Sequence, residues 1–571
     1  MQDTTFGIPL VDGTGEGEIL HADIGLSFWG GVDAATGTVI DRHHPLVGSD
    51  IAGRVLAIPS GRGSCSGSGV LLELILTGRA PAAVVVCEAE EIITLGSLVG
   101  EVMFARSIPV LRIDPDDFAR LAACRFARVS GSRLMLSDDG SFSAPSPGDR
   151  PASAATARVR LDPVDEALLA GDHGPAAQVA MRLVLRMAEL AGATALTDVT
   201  QVHIDGCIYA GSASLLFAER LLSMGGRVRV PTTLNAISVD HRRWRAQGID
   251  PALGEPASAL ADAYVAMGAR PTFTCAPYLL ESAPGPGEQI GWAESNAVVY
   301  ANSLIGARTM KYPDFLDACI ALTGRAPLAG CHLDAGRRAT VTLAVDVPKG
   351  ADDVLWPLLG YVCGATCGTE IPLIVGLDGL GADVDDWKAF GAAFATVAAA
   401  PMFHVAGVTP EAAGQQPAEV RRIGQDEMRR AFAELNTAQD GRIDLVSLGN
   451  PHFSLAECAR LAALVRGRSR SPDVAFVVTC GRAVYDAASE AGYVAAAEAF
   501  GATFVTDTCW CMLGEPVIPP SARTIMTNSG KYAHYAPGLV GRAVRFAGLE
   551  ACVDAACTGL APSGLPAWLR P

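Results

Sequence analysis

Four stretches of the chain set reactive side chains among glycines, prolines and small residues, where they are held at the ends of elements. The first is Pro59-Ser-Gly-Arg-Gly-Ser-Cys-Ser-Gly-Ser-Gly69. Its glycines expose backbone N–H groups, and its hydroxyls and Arg62 complete a cradle suited to a carboxylate or phosphate. It lacks the Gly-Lys-Ser/Thr ending of a nucleotide-phosphate loop, and a tight structural turn is the competing reading. Ser64 or Ser68 can act as a base only where positive charge or donors stabilise the alkoxide, which Arg62 and the loop amides supply.

The second stretch is Val230-Pro-Thr-Thr-Leu-Asn235, followed by Asp240. The third is Thr274-Cys-Ala-Pro-Tyr278, with Trp292-Ala-Glu-Ser-Asn296 and Tyr300-Ala-Asn-Ser303 behind it. The proline before Tyr278 fixes the turn after Cys275 and holds that thiol at a sheet edge, where it can ligate metal. Glu294, Asn296, Asn302 and Arg308 share one segment; a capped, solvated helix is the plain reading. Trp292 and Tyr300 argue for burial, where such groups need partners. The fourth set joins Gly449-Asn-Pro-His452, Asp507-Thr-Cys-Trp-Cys511 and Asn528-Ser-Gly-Lys-Tyr-Ala-His-Tyr535. Cys509 follows a strand and is a candidate ligand, and Lys531 beside a glycine is placed to hold a substrate anion. His404, outside these motifs, reads as a hydrogen-bonded core histidine.

The elements that must position these residues follow from patterning. Runs such as ALTDVTQVHID, RVRVP, ARPTFTC, PLIVGL, MFHVAG, IDLVSLG, DVAFVVTC and TFVTDTC alternate with Ala-rich helical stretches, as in βαβ units with parallel sheets. In such sheets ligands bind beyond the strands' carboxyl ends. ALTDVTQVHID ends on His203 and Asp205, which join Arg62, Ser68, Asn296 and Lys531 as candidate substrate-binding groups. The segment 136–158 is rich in Ser, Pro, Ala and Gly and reads as a linker. It divides a small β-rich domain, 1–135, with VLAIP, AAVVVCEA and IPVLRI as strands and a helix over Val70–Gly78, from a large α/β part, 159–571. There Asp162–Pro163 starts a helix.

The 571 residues call for two or more domains, and 50% hydrophobic with 18% charged residues describes a large buried interior. A net charge of −17 argues against nucleic acid and anionic membranes as partners. Neither a secretory signal nor a membrane-spanning run is visible, so a cytoplasmic protein is expected, its oligomeric state unreadable. Fifteen cysteines in such a chain are expected to be thiols or metal ligands. No pair of C-x-x-C elements is present, since three residues separate Cys363 from Cys367 and one separates Cys509 from Cys511. Ligands drawn from distant loops fit iron–sulfur better than a closed zinc site. The fragments Gly13-Thr-Gly15 and Gly61-Arg-Gly63 are too weak for a dinucleotide site.

Taken together, VPTTLNA, MGARPTFTCAPY, GWAESNAVVYANSLIGARTMKYPDF, VAGVTPEA, PHFSLAE and TNSGKYAHY resemble the large part of aconitase X. GSDIAGRVLAIPSGRGSCSGSGVLLELI resembles the family's small swivelling domain, fused in front. The resemblance implies an aconitase-like α/β part holding an iron–sulfur cluster, and a small domain that swings a serine loop over the active site. It implies a hydro-lyase of one of two branches. The fused bacterial type acts on cis-3-hydroxy-L-proline with a [2Fe-2S] cluster, and the split archaeal type acts on mevalonate 5-phosphate. Fusion points to the first, with a small hydroxy amino acid as substrate; a non-catalytic iron–sulfur sensor is the reading from another class. On this resemblance Ser64 is the base, iron the Lewis acid, and Cys275 and Cys509 are ligands, with Cys367 or Cys363 as the third. One departure stands out: Asn450 occupies a place where the split type tends to carry a cysteine.

Overall fold

The computed structural model describes residues 3–142 and 159–571. The chain divides into two compact units. One comprises Met1–Thr232, Ala266–Gly268 and Tyr312–His332, and the other Thr233–Val265, Ala269–Lys311 and Leu333–Pro571.

The first unit is built on an eight-stranded mixed sheet. Its strands are β1 (Asp3–Phe6), β2 (Ile8–Val11), β3 (Thr14–His21), β4 (Val55–Ala57), β5 (Ala83–Val86), β6 (Val110–Arg112), β7 (Phe126–Ser130) and β8 (Arg133–Ser137), in the order β1-β8-β7-β3-β4-β5-β6-β2. The runs VLA and AVVV are buried at every position, as parallel strands covered on both faces must be. The expected helix is present as Gly67–Thr77, closed by Gly78 in the left-handed conformation. The expected linker, 136–158, begins inside β8, and its residues 143–158 lie outside the described residues. After it Asp162 caps the helix Pro163–Ala170 through a reciprocal capping box, with Pro163 at the first helical position.

The second unit holds two wholly parallel sheets. Four strands run in the order His404–Val405, Pro372–Val375, Val341–Val345, Glu419–Ile423. Five run in the order Thr503–Thr506, Ala475–Cys480, Leu445–Phe453, Thr524–Thr527, Ala543–Phe546. Val446, Leu448, Phe476, Val478 and Met526 form one core with Leu461, Val553 and Phe500 from the flanking helices. The α/β architecture with parallel sheets and a sheet-rich N-terminal part is thus the one the patterning implies.

Two expected strands do not form. In RVRVP the N–H groups of Val228 and Arg229 go to the carbonyls of Met267 and Ala321, not to a ladder. In ARPTFTC, Pro271 removes a donor and Phe273 sits at φ +42, so the run cannot stay extended. His404 is a core histidine as expected, with Nε2 2.7 Å from the Arg337 carbonyl oxygen. Among the described residues no helix is long and apolar enough to cross a membrane.

Candidate functional site

In the second unit, the carboxyl-terminal end of the strand Leu445–Phe453 carries Asn450 and His452, and the loop after the strand Thr503–Thr506 carries Cys509 and Cys511. The strand Thr503–Thr506 is pinned by the fully buried Asp240, which accepts the Thr506 N–H at 3.0 Å and the Arg243 guanidinium at 2.9 Å. Asp507 then takes φ +67, a conformation costly for any residue but glycine. It is held there by the Arg482 guanidinium at 2.8 and 2.7 Å, and its carbonyl accepts the Ile237 N–H at 2.7 Å. The following turn is fastened by buried Trp510, whose Nε1 donates to the Leu448 carbonyl at 2.7 Å. This turn sets Cys509 between Cys275 and Cys511, within hydrogen-bonding reach of both.

Donors surround the sulfurs. The His452 N–H reaches Cys275 Sγ at 3.2 Å, and Asn450 Nδ2 lies 3.4 Å from Cys509 Sγ and 3.2 Å from Cys511 Sγ. The carbonyl of His452 accepts from Nζ of Lys388, a buried ammonium that also pairs with Glu457 and, at 3.2 Å, with Asp385. Glu294 caps the helix Ser295–Tyr300 through the Ala297 N–H and accepts from Lys531 Nζ at 3.0 Å.

The three thiols titrate as one group. Hydrogen bonds from Cys275 and Cys511 hold the Cys509 thiol well below its ordinary value. Burial, reinforced by Cys509, pushes the Cys275 thiol well up, and the Cys509 hydrogen bond followed by burial does the same to Cys511. Burial works against the charge of Lys531, but Glu294 and the three sulfurs outweigh it and raise that ammonium well above its usual range. This donor set fits an iron–sulfur group: three thiols able to ionise, N–H donors aimed at sulfur, and a balancing cation.

Of the expected ligands, Cys275 and Cys509 come together and Cys367 does not join them. It ends the helix Leu355–Cys367, its Sγ turned to the Gly364 carbonyl at 3.6 Å, and its charged neighbours are Glu370, Arg421 and Lys311. Burial pushes its thiol up to about 12. Cys363 is buried one turn earlier in the same helix. Cys511 stands beside Cys509 instead, in the short 3-10 turn Trp510–Met512. The Cys-Trp-Cys spacing carried that signal. Asn296 serves Cys275 from behind, donating to its carbonyl at 2.8 Å and accepting from Tyr278 Oη at 3.2 Å. Lys531, expected to hold a substrate anion, is paired with Glu294.

The serine loop, His203 and Asp205 belong to the first unit. Ser64 is half-buried, and its Oγ lies 3.3 Å from both the hydroxyl and the N–H of Ser66. Arg62 pairs with Asp41 at 3.2 Å and keeps 30% of its side chain exposed, enough to reach a ligand. Ser68 differs from expectation: it is fully buried and donates to the carbonyls of Asp314, at 2.9 Å, and Cys65, at 3.2 Å. It therefore fastens the loop. Cys65 is likewise buried. His203 and Asp205 are buried at the end of the strand Val202–Ile204, and the Asp205 N–H goes to Asp317 Oδ2 at 2.6 Å.

Family models of aconitase X match four successive stretches: its swivel domain at residues 5–137, first domain at 158–335, second at 339–433 and third at 443–558. The cis-3-hydroxy-L-proline dehydratase of Pseudomonas aeruginosa is 59% identical over 570 residues, covering 98% of this chain and 97% of that protein. The cis-3-hydroxy-L-proline dehydratase of Hypocrea jecorina is 53% identical over 576 residues, covering 99% and 97%. The crystal structure of Thermococcus kodakaraensis aconitase X in its holo form matches with a TM-score of 0.64 at 30% identity, covering 70% of this chain and all of that one. With its sequence accounted for from the swivel domain to the third domain, the chain belongs to the aconitase X family.

Proposed function

We propose that this protein is a hydro-lyase that dehydrates cis-3-hydroxy-L-proline to Δ1-pyrroline-2-carboxylate. Near-full-length likeness to two proteins named for that activity supports the substrate. The observation that carries the chemistry is the convergence of Cys275, Cys509 and Cys511 under the donors of Asn450 and His452.

The reaction removes a weakly acidic Cα proton beside a carboxylate and expels a β-hydroxyl, a poor leaving group unaided. An iron–sulfur cluster bound by the three thiols, a [2Fe-2S] cluster in this reading, supplies the Lewis acid that takes the leaving hydroxyl. The chain supplies the rest. Ser64 takes the Cα proton, and Arg62 neutralises the substrate carboxylate, which lowers the cost of negative charge developing at Cα. Asn450 and His452 donate to the thiolates and keep them ionised, and Lys531 with Glu294 balances their charge. The enamine product tautomerises without an external redox cofactor. We read residues 1–135 as the swivelling part and 159–571 as the large part, whose closure excludes water. Fifteen free cysteines accord with a reducing, cytoplasmic setting.

The test is turnover by anaerobically purified protein of cis-3-hydroxy-L-proline, trans-3-hydroxy-L-proline and mevalonate 5-phosphate, with iron content and visible absorption recorded on the same sample. Turnover of the cis isomer alone by iron-loaded protein is expected. Turnover of the phosphate alone overturns the substrate, and an iron-loaded protein inert on all three overturns the activity.

A further inference from the structure

The helix Ser212–Ser223 begins after Gly211, which occupies the N-cap position and has no side chain to cap it, and its first turn holds no acidic residue. The start of a helix leaves N–H groups without partners inside the helix, and a serine, threonine, aspartate or asparagine at the N-cap is the usual remedy. Here the remedy comes from elsewhere in the chain. The Glu73 carboxylate accepts the Ala213 N–H at 2.6 Å, and its two oxygens lie 3.2 and 3.3 Å from the Ser212 hydroxyl. Its negative charge also suits the positive end of the helix dipole. Gly211 leaves the room for it: a Cβ at that position would stand 2.5 Å from Glu73 Cδ and 2.6 Å from its Cγ. No capping side chain fits at 211 while Glu73 is seated.

Glu73 belongs to the helix Gly67–Thr77, which starts at the serine loop. Gly69, one turn before Glu73 on the same face, packs against the same first turn: a Cβ there would meet Ser214 Oγ at 3.5 Å and the Phe315 ring at 3.7 Å. At the start of the helix, Ser68 donates to the Asp314 carbonyl at 2.9 Å, and the Asp314 N–H donates to the Cys65 carbonyl at 3.1 Å. Further along the capped helix, Arg220 lies over the Phe104 ring, 5.5 Å from its centre. These contacts all lie inside the first unit. Each joins the stretch matched by the swivel-domain model, 5–137, to the one matched by the first-domain model, 158–335. The Glu73 contact differs from the others in one respect, since without it a helix on the far side lacks its cap.

We propose that Glu73 is a positioning residue for the reaction: by capping the helix Ser212–Ser223 it seats the serine loop, so that Ser64 and Arg62 stand in place only while the cap is made. This rests on Ser64 being the base and on residues 1–135 being the swivelling part. Ser64 stands just ahead of the helix that carries Glu73, so a shift of that helix takes the loop with it. On the far side, the loop that leads into the helix Ser212–Ser223 begins at Asp205, after the strand that holds His203. The cap thus ties the serine loop to the segment that carries the other two candidate substrate groups of this unit. When the small domain lifts, the Ala213 N–H and the Ser212 hydroxyl pass to water and the first turn frays; when it reseats, the carboxylate restores both. Seating of the loop and ordering of that turn become one event.

The experiment compares the full-length, iron-loaded wild type with Glu73→Ala, Glu73→Gln, Gly211→Ala and Ser64→Ala on cis-3-hydroxy-L-proline. It measures kcat and KM, and by hydrogen–deuterium exchange the protection of peptides spanning 59–69 and 205–216. Glu73→Ala is expected to lower kcat/KM by about 3- to 30-fold, the range of a lost helix cap, with kcat falling and KM rising together because Ser64 and Arg62 share the loop. Exchange should quicken in both peptides while iron content and visible absorption hold, since the three thiols belong to the second unit. Glu73→Gln keeps an acceptor oxygen for the Ala213 N–H and should recover most of the loss. Gly211→Ala drives the carboxylate off from the other side and should resemble Glu73→Ala; should Glu73→Ala fail to fold, Gly211→Ala decides the matter. Faster exchange in 205–216 alone, with kcat and KM unchanged, overturns the proposal, for Glu73 is then a cap and nothing more. If Ser64→Ala is impaired while Glu73→Ala keeps its kcat, its KM and its protection, the proposal is overturned and the serine base stands. If Ser64→Ala turns over normally, the base reading falls and the proposal with it.

Discussion

The side-chain amide of Asn450 lies 3.2 Å from Cys511 Sγ, with Cys509 Sγ at 3.4 Å on the same nitrogen. In the sequence Asn450 looked like the loss of a ligand; in the fold it is a donor to two of them. The Ser529 hydroxyl at 3.4 Å from Asn450 Oδ1 turns the amide so that its nitrogen faces sulfur.

An Asn450→Asp change would put a carboxylate where two thiolates meet a donor. Iron retention under a chelator should weaken by about 10- to 100-fold, the size typical of lost outer partners of a metal ligand. Retention equal to wild type would show that the amide does not serve the sulfurs.

Serine replacements sort the thiols. Cys275→Ser, Cys509→Ser and Cys511→Ser should each lose most bound iron and the associated visible absorption. Cys367→Ser and Cys363→Ser should keep both, since these thiols sit in the helix Leu355–Cys367 among other neighbours. Iron loss in Cys367→Ser with a normal far-ultraviolet spectrum would reverse the assignment.

Acidity separates the same thiols in metal-free protein. Because Cys509 is held well below its ordinary value while Cys275 and Cys511 are raised, Cys509 is the first of the three to ionise. A small alkylating reagent near pH 7 should therefore label Cys509 ahead of the other two, with peptide mass spectrometry as the readout. Equal labelling of all three would contradict a shared charge centred on Cys509.

Lys388 links stability to the site. It is buried against Glu457 and Asp385 and donates to the carbonyl of His452, whose N–H serves Cys275. Lys388→Met leaves the buried Glu457 carboxylate without its cation, while Asp385 keeps Arg460 at 2.9 Å, and urea unfolding should show a loss of about 3–5 kcal/mol. A cost below about 1 kcal/mol would mean that the carboxylate regains water or a proton cheaply.

What the chain determined by itself is what local rules reach. Alternating apolar runs set the parallel sheets, Asp162–Pro163 started its helix, Gly78 ended another, and Pro277 with the strand before Cys509 marked two thiols as loop residues beyond strands. These features depend on neighbours in sequence, where periodicity and capping act. Which thiol completes the set was not decided locally: the Cys-Trp-Cys spacing only hinted at Cys511, and it is the Asp507 turn, held by Arg482 and Ile237, that brings Cys511 to Cys509. Ser68 looked as available as Ser64 until the fold gave its proton to the Asp314 carbonyl, 246 positions away. Asp314 stood in the sequence only as part of the run KYPDF. A carboxyl's role follows from which charges and donors share its burial, and those come from segments that meet only when the chain has folded.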